Sequence, residues 1–374
     1  MRSFKVVHMT SVHSALDHRI FDKECRSLAR AGFDVTIVGP HPQDAIYSAV
    51  HIKSVKKNRS RLMRMTLTAW HVYQMALRLS ADVYHFHDPE LIPAALLLRA
   101  RGKTVVYDVH EDYPRDIFFK SYLPAWSRRM VARLAEIVEL TASRRFSAVV
   151  AVTPQIASRF EGVNRRTVVL YNYPHAEDLA GDMGASWELR KRAVTYVGTI
   201  TPQRGIREMV QAMGLLPSSL SATLEIAGDH IPEEIMQLPS WSRVHFHGVL
   251  DLAHTYQLLR QVRVGLVCEH PIPTFTESMP VKIFEYMGAG LPVIASNFPL
   301  WRRLLDDVGC ALFVDPTNVR EIAEAVEYLL CNSSEAEAMG RRGQEAVANH
   351  FNWNTQSQKL VDLYDGLASH PCVA

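Results

Sequence analysis

Two carboxylates stand with seven residues between them in the string ESMPVKIFEYMGAGLPVIAS, residues 277–296. Pro280 suits the first turn of a helix, which places Glu277 just before that helix and Glu285 a turn and a half inside it, with Lys282 on a neighbouring turn. Free amides at a helix start, reinforced by the helix dipole, attract anionic groups. Carboxylates so placed can hydrogen-bond two sugars on either side of a diphosphate held there. Either glutamate alone reads as an ordinary helix residue; the whole string points to chemistry. In YVGTITPQRGI, residues 196–206, a strand ends in glycine and Arg204-Gly205 opens the next helix, a geometry that can aim a guanidinium at phosphate oxygens. Taken alone, Arg204 reads as a basic residue on a solvated helix. His110, in TVVYDVHEDYP, falls just past the C-terminal end of a strand, where open α/β sheets bind ligands. Glu111 and Asp112 beside it read as acceptor contacts or as loop charges. His87-Asp88, after another strand, carries the same two readings, and Arg19 reads as a phosphate contact or as a helix-start surface residue.

The elements that must position these residues alternate between short β-branched runs and longer helix-period segments, the pattern of βα units closing into parallel sheets covered on both faces. The first half offers strands at 4–9, 34–39, 83–87, 104–109, 148–152 and 167–171. Helices at about 19–31 and 90–101 each end at a glycine, Gly32 and Gly102, placed as a C-terminal cap. Residues 173–192 lose the rhythm and are assigned as the linker. A second series of strands follows at 193–198, 223–228, 244–248, 264–268, 292–296 and 311–314, and the chain finishes in helices from about 319 to 367. The expectation is an α/β protein of two doubly wound, Rossmann-like domains, 1–172 and 193–350, facing each other across a cleft. The closing residues 351–374 form a helix that packs back on the first domain.

With these motifs in their order along nearly the whole chain, the sequence resembles retaining nucleotide-sugar glycosyltransferases of family four (glycosyl transferases group 1), whose fold is GT-B. The resemblance implies that the first domain binds the acceptor and the second the nucleotide-sugar donor. It implies that Glu277 grips hydroxyls of the donor sugar, that Glu285 binds the nucleotide ribose, and that His110 lies near the transferred sugar. Arg204 and Gly205 match the loop that meets the donor diphosphate. Thr199 stands where the family places an Arg, and Lys282 is the candidate to replace that charge. Arg19, Asp88 and Glu111 are the candidate acceptor or cleft contacts. Ser-Met-Pro follows Glu277 where many members have Gly-Phe-Gly, and Ser14, Ala15 and Asp17-His18-Arg19 stand where many have adjacent glycines. The implied reaction is transfer of a hexose with retention, the sugar accepting attack on the face from which the diphosphate leaves. No D-x-D occurs, transfer is expected to be metal-independent, and no metal site and no cofactor are expected.

Composition narrows the partners. Residues 1–172 hold 26 Lys+Arg against 15 Asp+Glu, while residues 173–374 hold 15 against 24, so a net charge of +2 conceals a basic half and an acidic half. Lys53, Lys56, Lys57, Arg59, Arg61 and Arg64 crowd one acid-free stretch followed by the apolar LMRMTLTAWHVY, and Arg128, Arg129 and Arg133 gather beside Trp126. Such basic amphipathic stretches suit an anionic membrane surface, where a lipid-linked saccharide could serve as acceptor, in preference to nucleic acid. A solvated helix face is the plainer reading. No run approaches the roughly 18–20 apolar residues of a spanning helix, and the opening MRSFKVVHM runs straight into a strand, so a cytoplasmic protein peripheral to the inner membrane face, in surface polysaccharide or glycolipid assembly, is expected. Five scattered cysteines suggest reduced core residues rather than disulfides or zinc. A nucleotide-sugar epimerase or sugar phosphorylase on a similar fold, and a non-enzymatic nucleotide-binding module, are the competing readings. A dinucleotide dehydrogenase fits less, because no G-x-G-x-x-G follows the first strand, and no Walker loop is present.

Overall fold

The computed structural model describes residues 4–119, 123–179 and 187–369. It divides into two compact units, one made of residues up to 172 together with the last helix from 354, the other of residues 173–353.

The first unit is built on strands β1 (Lys5–Met9), β2 (Asp34–Pro40), β3 (Ala45–Tyr47), β4 (Val50–Val55), β5 (Val83–Phe86), β6 (Thr104–Val109), β7 (Ala148–Ala151) and β8 (Thr167–Val169). They form one sheet in the order β3-β4-β2-β1-β5-β6-β7-β8, parallel except for β3 against β4. Every residue of β5, β6 and β7 is buried, as expected of parallel strands covered by helices on both faces. The strand order reverses at β1, which pairs with β2 on one side and β5 on the other, with Val7 opposite both Thr36 and Tyr84. The last helix, Trp353–Ser369, adds Tyr364 to this unit, edge-on to Phe33 and bonded through its hydroxyl to His85 Nδ1 at 2.8 Å.

The second unit has six strands, β9 (Ala193–Val197), β10 (Thr223–Ala227), β11 (Val244–Phe246), β12 (Val264–Val267), β13 (Val293–Ser296) and β14 (Ala311–Val314). All are parallel, in the order β11-β10-β9-β12-β13-β14, with the reversal at β9. Its core gathers around Tyr196, Leu224, Leu266 and Leu329, roofed by helices such as Ile206–Leu215 and Val319–Cys331.

Departures from the sequence reading have local causes. The β3–β4 hairpin was not expected, because Ser48 (φ 49°) and Ala49 (φ 64°) make its turn in the left-handed region without the Asn or Gly that usually marks it. Lys53 therefore belongs to a strand rather than to a basic amphipathic segment, and it ion-pairs with Asp44 at 2.8 Å. The first helix runs as a π-helix over His18–Cys25 before tightening to α over Arg26–Arg30. Cys25, Cys268 and Cys310 are buried, but Cys331 is exposed; Cys372 lies outside the described residues.

Candidate functional site

In the second unit, the crevice at the reversal opens between the ends of β9 and β12. Past β9, Gly198 (φ +137°) turns the chain into a loop that ends in a short turn, Pro202–Arg204. Gly205 (φ +72°) then starts the helix Ile206–Leu215, where any Cβ would lie 2.0 Å from the carbonyl oxygen of Cys268, so only glycine permits the approach. The next residue after Cys268, Glu269, is buried, and its Oε1 accepts from Arg204 Nη1 and lies 3.6 Å from Lys282 Nζ. Its other oxygen, Oε2, is buried and accepts no hydrogen bond. The Arg204 guanidinium also stacks over Phe275, 4.6 Å from the ring centroid. Lys282 Nζ donates to the Tyr196 hydroxyl at 3.1 Å and stands 4.3 Å over that ring, beside the Gly198 backbone, where a Cβ would meet it at 3.2 Å. Burial lowers this lysine to about 8 and outweighs the attraction of Glu269. Two cations thus flank a glycine-bearing loop at the sheet's C-terminal edge, an arrangement suited to a diphosphate.

The helix Val281–Gly288 begins at Pro280, which supplies no capping side chain. Glu277 caps the end of a separate short helix, Pro273–Thr276, and the loop between is pinned by Trp301 Nε1 donating to the Ser278 carbonyl at 2.7 Å. Glu277 and Glu285 are both half-buried. The sequence reading passed over Glu269 and Tyr196. The signal for Glu269 was its position, the second residue after a buried strand that flanks the reversal.

In the first unit, the equivalent crevice lies between the ends of β1 and β5. Asp88 lines the cavity there, with its carboxylate turned to the loop after β1. It is buried and accepts from Thr10 Oγ1 (2.8 Å), Ser11 N (2.6 Å) and Val12 N (3.1 Å), with His13 Nδ1 at 2.8 Å, so it shapes the loop after β1. Burial pushes its carboxyl upward, but the bond from His13 and the backbone donors hold it far below the usual range. Arg19 is neither surface residue nor phosphate contact: it is buried, with Nε and Nη2 each 3.1 Å from the two oxygens of Asp108, and Nη1 donating to the Leu170 carbonyl. Asp108 in turn places an oxygen 2.9 Å from His110 Nε2 and 3.2 Å from His87 Nδ1. Burial lowers His87 to about 4, so at neutral pH it is uncharged. His110 is the partly exposed end of this chain, on a cavity of about 440 Å³ whose lining also includes His13, Glu111, Arg64, Tyr113 and Val138.

Part of the basic stretch is spent on this unit's own groups. Lys57 Nζ reaches the Val12 carbonyl, and Arg64 Nε lies 3.2 Å from Glu90; Lys56 and Arg59 stay exposed. Leu62, Met63, Met65 and Leu67 are exposed in the apolar run that follows Arg61, and the helix Ala125–Ser143 likewise leaves Trp126 (80% exposed), Met130, Leu134 and Ile137 uncovered at helical spacing, with Arg129 and Arg133 exposed on the same helix.

Residues 19–173 match Glycosyltransferase Family 4, and residues 191–332 match Glycosyl transferases group 1. The chain belongs to glycosyltransferase family 4. It spans 56% of the length of an uncharacterized glycosyltransferase from Methanocaldococcus jannaschii, at 23% identity over 56% of this chain. A phosphatidyl-myo-inositol mannosyltransferase from Mycobacterium leprae is 24% identical over 77% of this chain and 74% of its own. Among solved structures, HepE from Anabaena, in complex with UDP-glucose, superposes with a TM-score of 0.71 at 15% identity, covering 97% of this chain and 100% of that one. Two parallel-sheet units with this likeness make the family 4 chain a GT-B fold.

The His13–Asp88 pair fixes a pH dependence. Asp88, depressed, contributes stability that is present above its unfolded value of about 3.9 and lost as pH falls toward the folded one. His13, raised chiefly by the hydrogen bond to Asp88, contributes below its unfolded value of about 6.5 and is lost as pH rises through the folded one. Urea unfolding of wild type and His13→Ala should therefore show the largest stability difference between about pH 4 and 6.5, shrinking on either side.

Proposed function

We propose that this family 4 glycosyltransferase moves a hexose from a nucleotide-diphosphate sugar to a saccharide or lipid-linked saccharide, with retention of anomeric configuration. The observation that carries the reading is the pair Arg204 and Lys282, gathered by Glu269 around the Gly198 loop. A sugar leaves its nucleotide only if the departing diphosphate charge is stabilised, and cations held in place by Glu269 supply that stabilisation. Arg204, the Gly205 backbone and Lys282 take the diphosphate, Glu285 the ribose and Glu277 the sugar hydroxyls. Positive charge at the diphosphate then comes from side chains, with no divalent ion required. In the first unit, the cavity beside His110 is the acceptor's place, with Glu111 at its rim and His110 assigned to a hydroxyl of the reacting sugar. Asp108 and Arg19 position that imidazole. The mannosyltransferase relative and the UDP-glucose-bound neighbour both support a nucleotide hexose as donor.

The exposed apolar stripe of Ala125–Ser143, with arginines on the same helix, supports a peripheral seat on an anionic membrane surface, which presents a lipid-linked acceptor. Among the described residues no helix is long and apolar enough to cross a membrane.

Thermal melting against UDP-, GDP- and ADP-sugars should show stabilisation by one nucleotide class, about 2.7 kcal/mol at a hundredfold excess over its dissociation constant, unchanged by Mg²⁺ and lost in Glu285→Ala. Stabilisation that appears only with Mg²⁺ or Mn²⁺ would refute the metal-free assignment. In vesicle flotation, the protein should rise with anionic but not neutral vesicles. The double variant Trp126→Glu and Leu134→Glu, altering exposed side chains only, should stay at the bottom; flotation unaffected by these changes would exclude the helix as the docking surface.

A further inference from the structure

Behind His87 the first unit buries a second set of ionisable groups that donor and acceptor binding do not use. His8 on β1 faces His85 on β5 in direct register, and His87 follows two residues later. Their ring centroids are 4.6, 4.8 and 5.1 Å apart, with interplanar angles of 39°, 21° and 18°. Three rings with nearly equal sides cannot be a stack, in which one separation would be about double the others. They stand at the corners of a triangle. Three imidazoles sharing one ion at the usual zinc–nitrogen distance of about 2.0–2.1 Å would set their centroids roughly 5 Å apart.

A carboxylate completes the set. Glu24, from the π-helix His18–Cys25, places Oε2 3.9 Å from His8 Nδ1 and 4.0 Å from His85 Nδ1, while His8 Nδ1 is 2.9 Å from His87 Nε2. One ligand atom from each of the four residues lies within 4.8 Å of every other, and all four side chains are buried. Neither oxygen of Glu24 accepts a hydrogen bond, so a fully buried carboxylate is left short of the donors that an ion would replace. Among the described residues, the one guanidinium against Glu24, Arg19 at 3.1 Å from Oε1, is shared with Asp108, so carboxylates outnumber it among these groups. The Tyr364 hydroxyl lies 2.8 Å from His85 Nδ1, so binding an ion through that nitrogen exchanges this hydrogen bond for coordination.

We propose that His8, His85, His87 and Glu24 form a buried structural site for a divalent transition-metal ion, with zinc the best match to three imidazoles and one carboxylate in four-coordinate geometry. The ion ties β1, β5 and the π-helix together beneath the His110 network, and it is distinct from the donor diphosphate. The π-helical winding is the local device that turns Glu24 inward.

The full chain, freed of any affinity tag and purified without chelator, tests this. Metal analysis should find about one equivalent of zinc, and Co²⁺ loading should give the visible absorption of a four-coordinate centre. His85→Gln and Glu24→Gln should each lose the metal, while Tyr364→Phe keeps it. Should those variants fail to fold, stripping wild type with chelator should lower its melting temperature, and Zn²⁺ should restore it. Less than about a tenth of an equivalent after incubation with Zn²⁺ and dialysis, no cobalt spectrum and an unchanged melting temperature would overturn the site and leave the cluster to a shared proton.

Discussion

Parallel strands cannot be joined by tight turns; each must be followed by a crossover, almost always through a helix. Every strand end on the C-terminal side of such a sheet therefore becomes a loop entering a helix, and where the strand order reverses, two of those loops part. Both units obey this constraint. In one the loops after β1 and β5 part; in the other, those after β9 and β12. Each residue assigned to chemistry on the Gly198 loop or at His110 sits on or beside such an edge.

The two crevices solve the cost of burying charge in opposite ways. An ion removed from water is tolerated only when paired and hydrogen-bonded. The second unit makes an acid the internal partner: Glu269 holds Arg204 and Lys282, and a buried lysine at about 8 stands ready to gain from an added anion. In the first unit a base has that part, with Arg19 clamping Asp108, whose oxygen then orients His110 and His87. Asp88 does the same for the loop after β1 by collecting its amides.

The sequence carried most of the fold, because buried parallel strands read as continuous β-branched runs; β6 and β14 were located to the residue. The β3–β4 hairpin was illegible, since its turn uses Ser48 and Ala49 in a conformation that neither residue advertises. Gly205 was legible as the start of a helix, and its necessity, the close approach to Cys268, became visible only in three dimensions. Arg19 was misread because periodicity places a residue on an element, but a charged side chain at an element's start is assumed to face water; Asp88 does line the first unit's cavity, and what stayed hidden was its hold on the β1 loop. Both turn inward because partners distant in sequence, Asp108 and the amides of the β1 loop, await them. Glu269 was missed for the converse reason, as a single acid after a strand has no motif of its own.

We propose that Lys282, buried beside the Gly198 loop, holds the donor's diphosphate. The direct measurement is the calorimetric affinity of the donor nucleotide diphosphate, its monophosphate and its nucleoside as pH is raised through 8. For wild type, diphosphate affinity should fall as the lysine loses its proton while nucleoside affinity stays level, and Lys282→Met should bind the diphosphate about a hundredfold more weakly with that pH dependence gone. A Lys282→Met protein that binds the diphosphate as tightly as wild type, with the same pH profile, would contradict it.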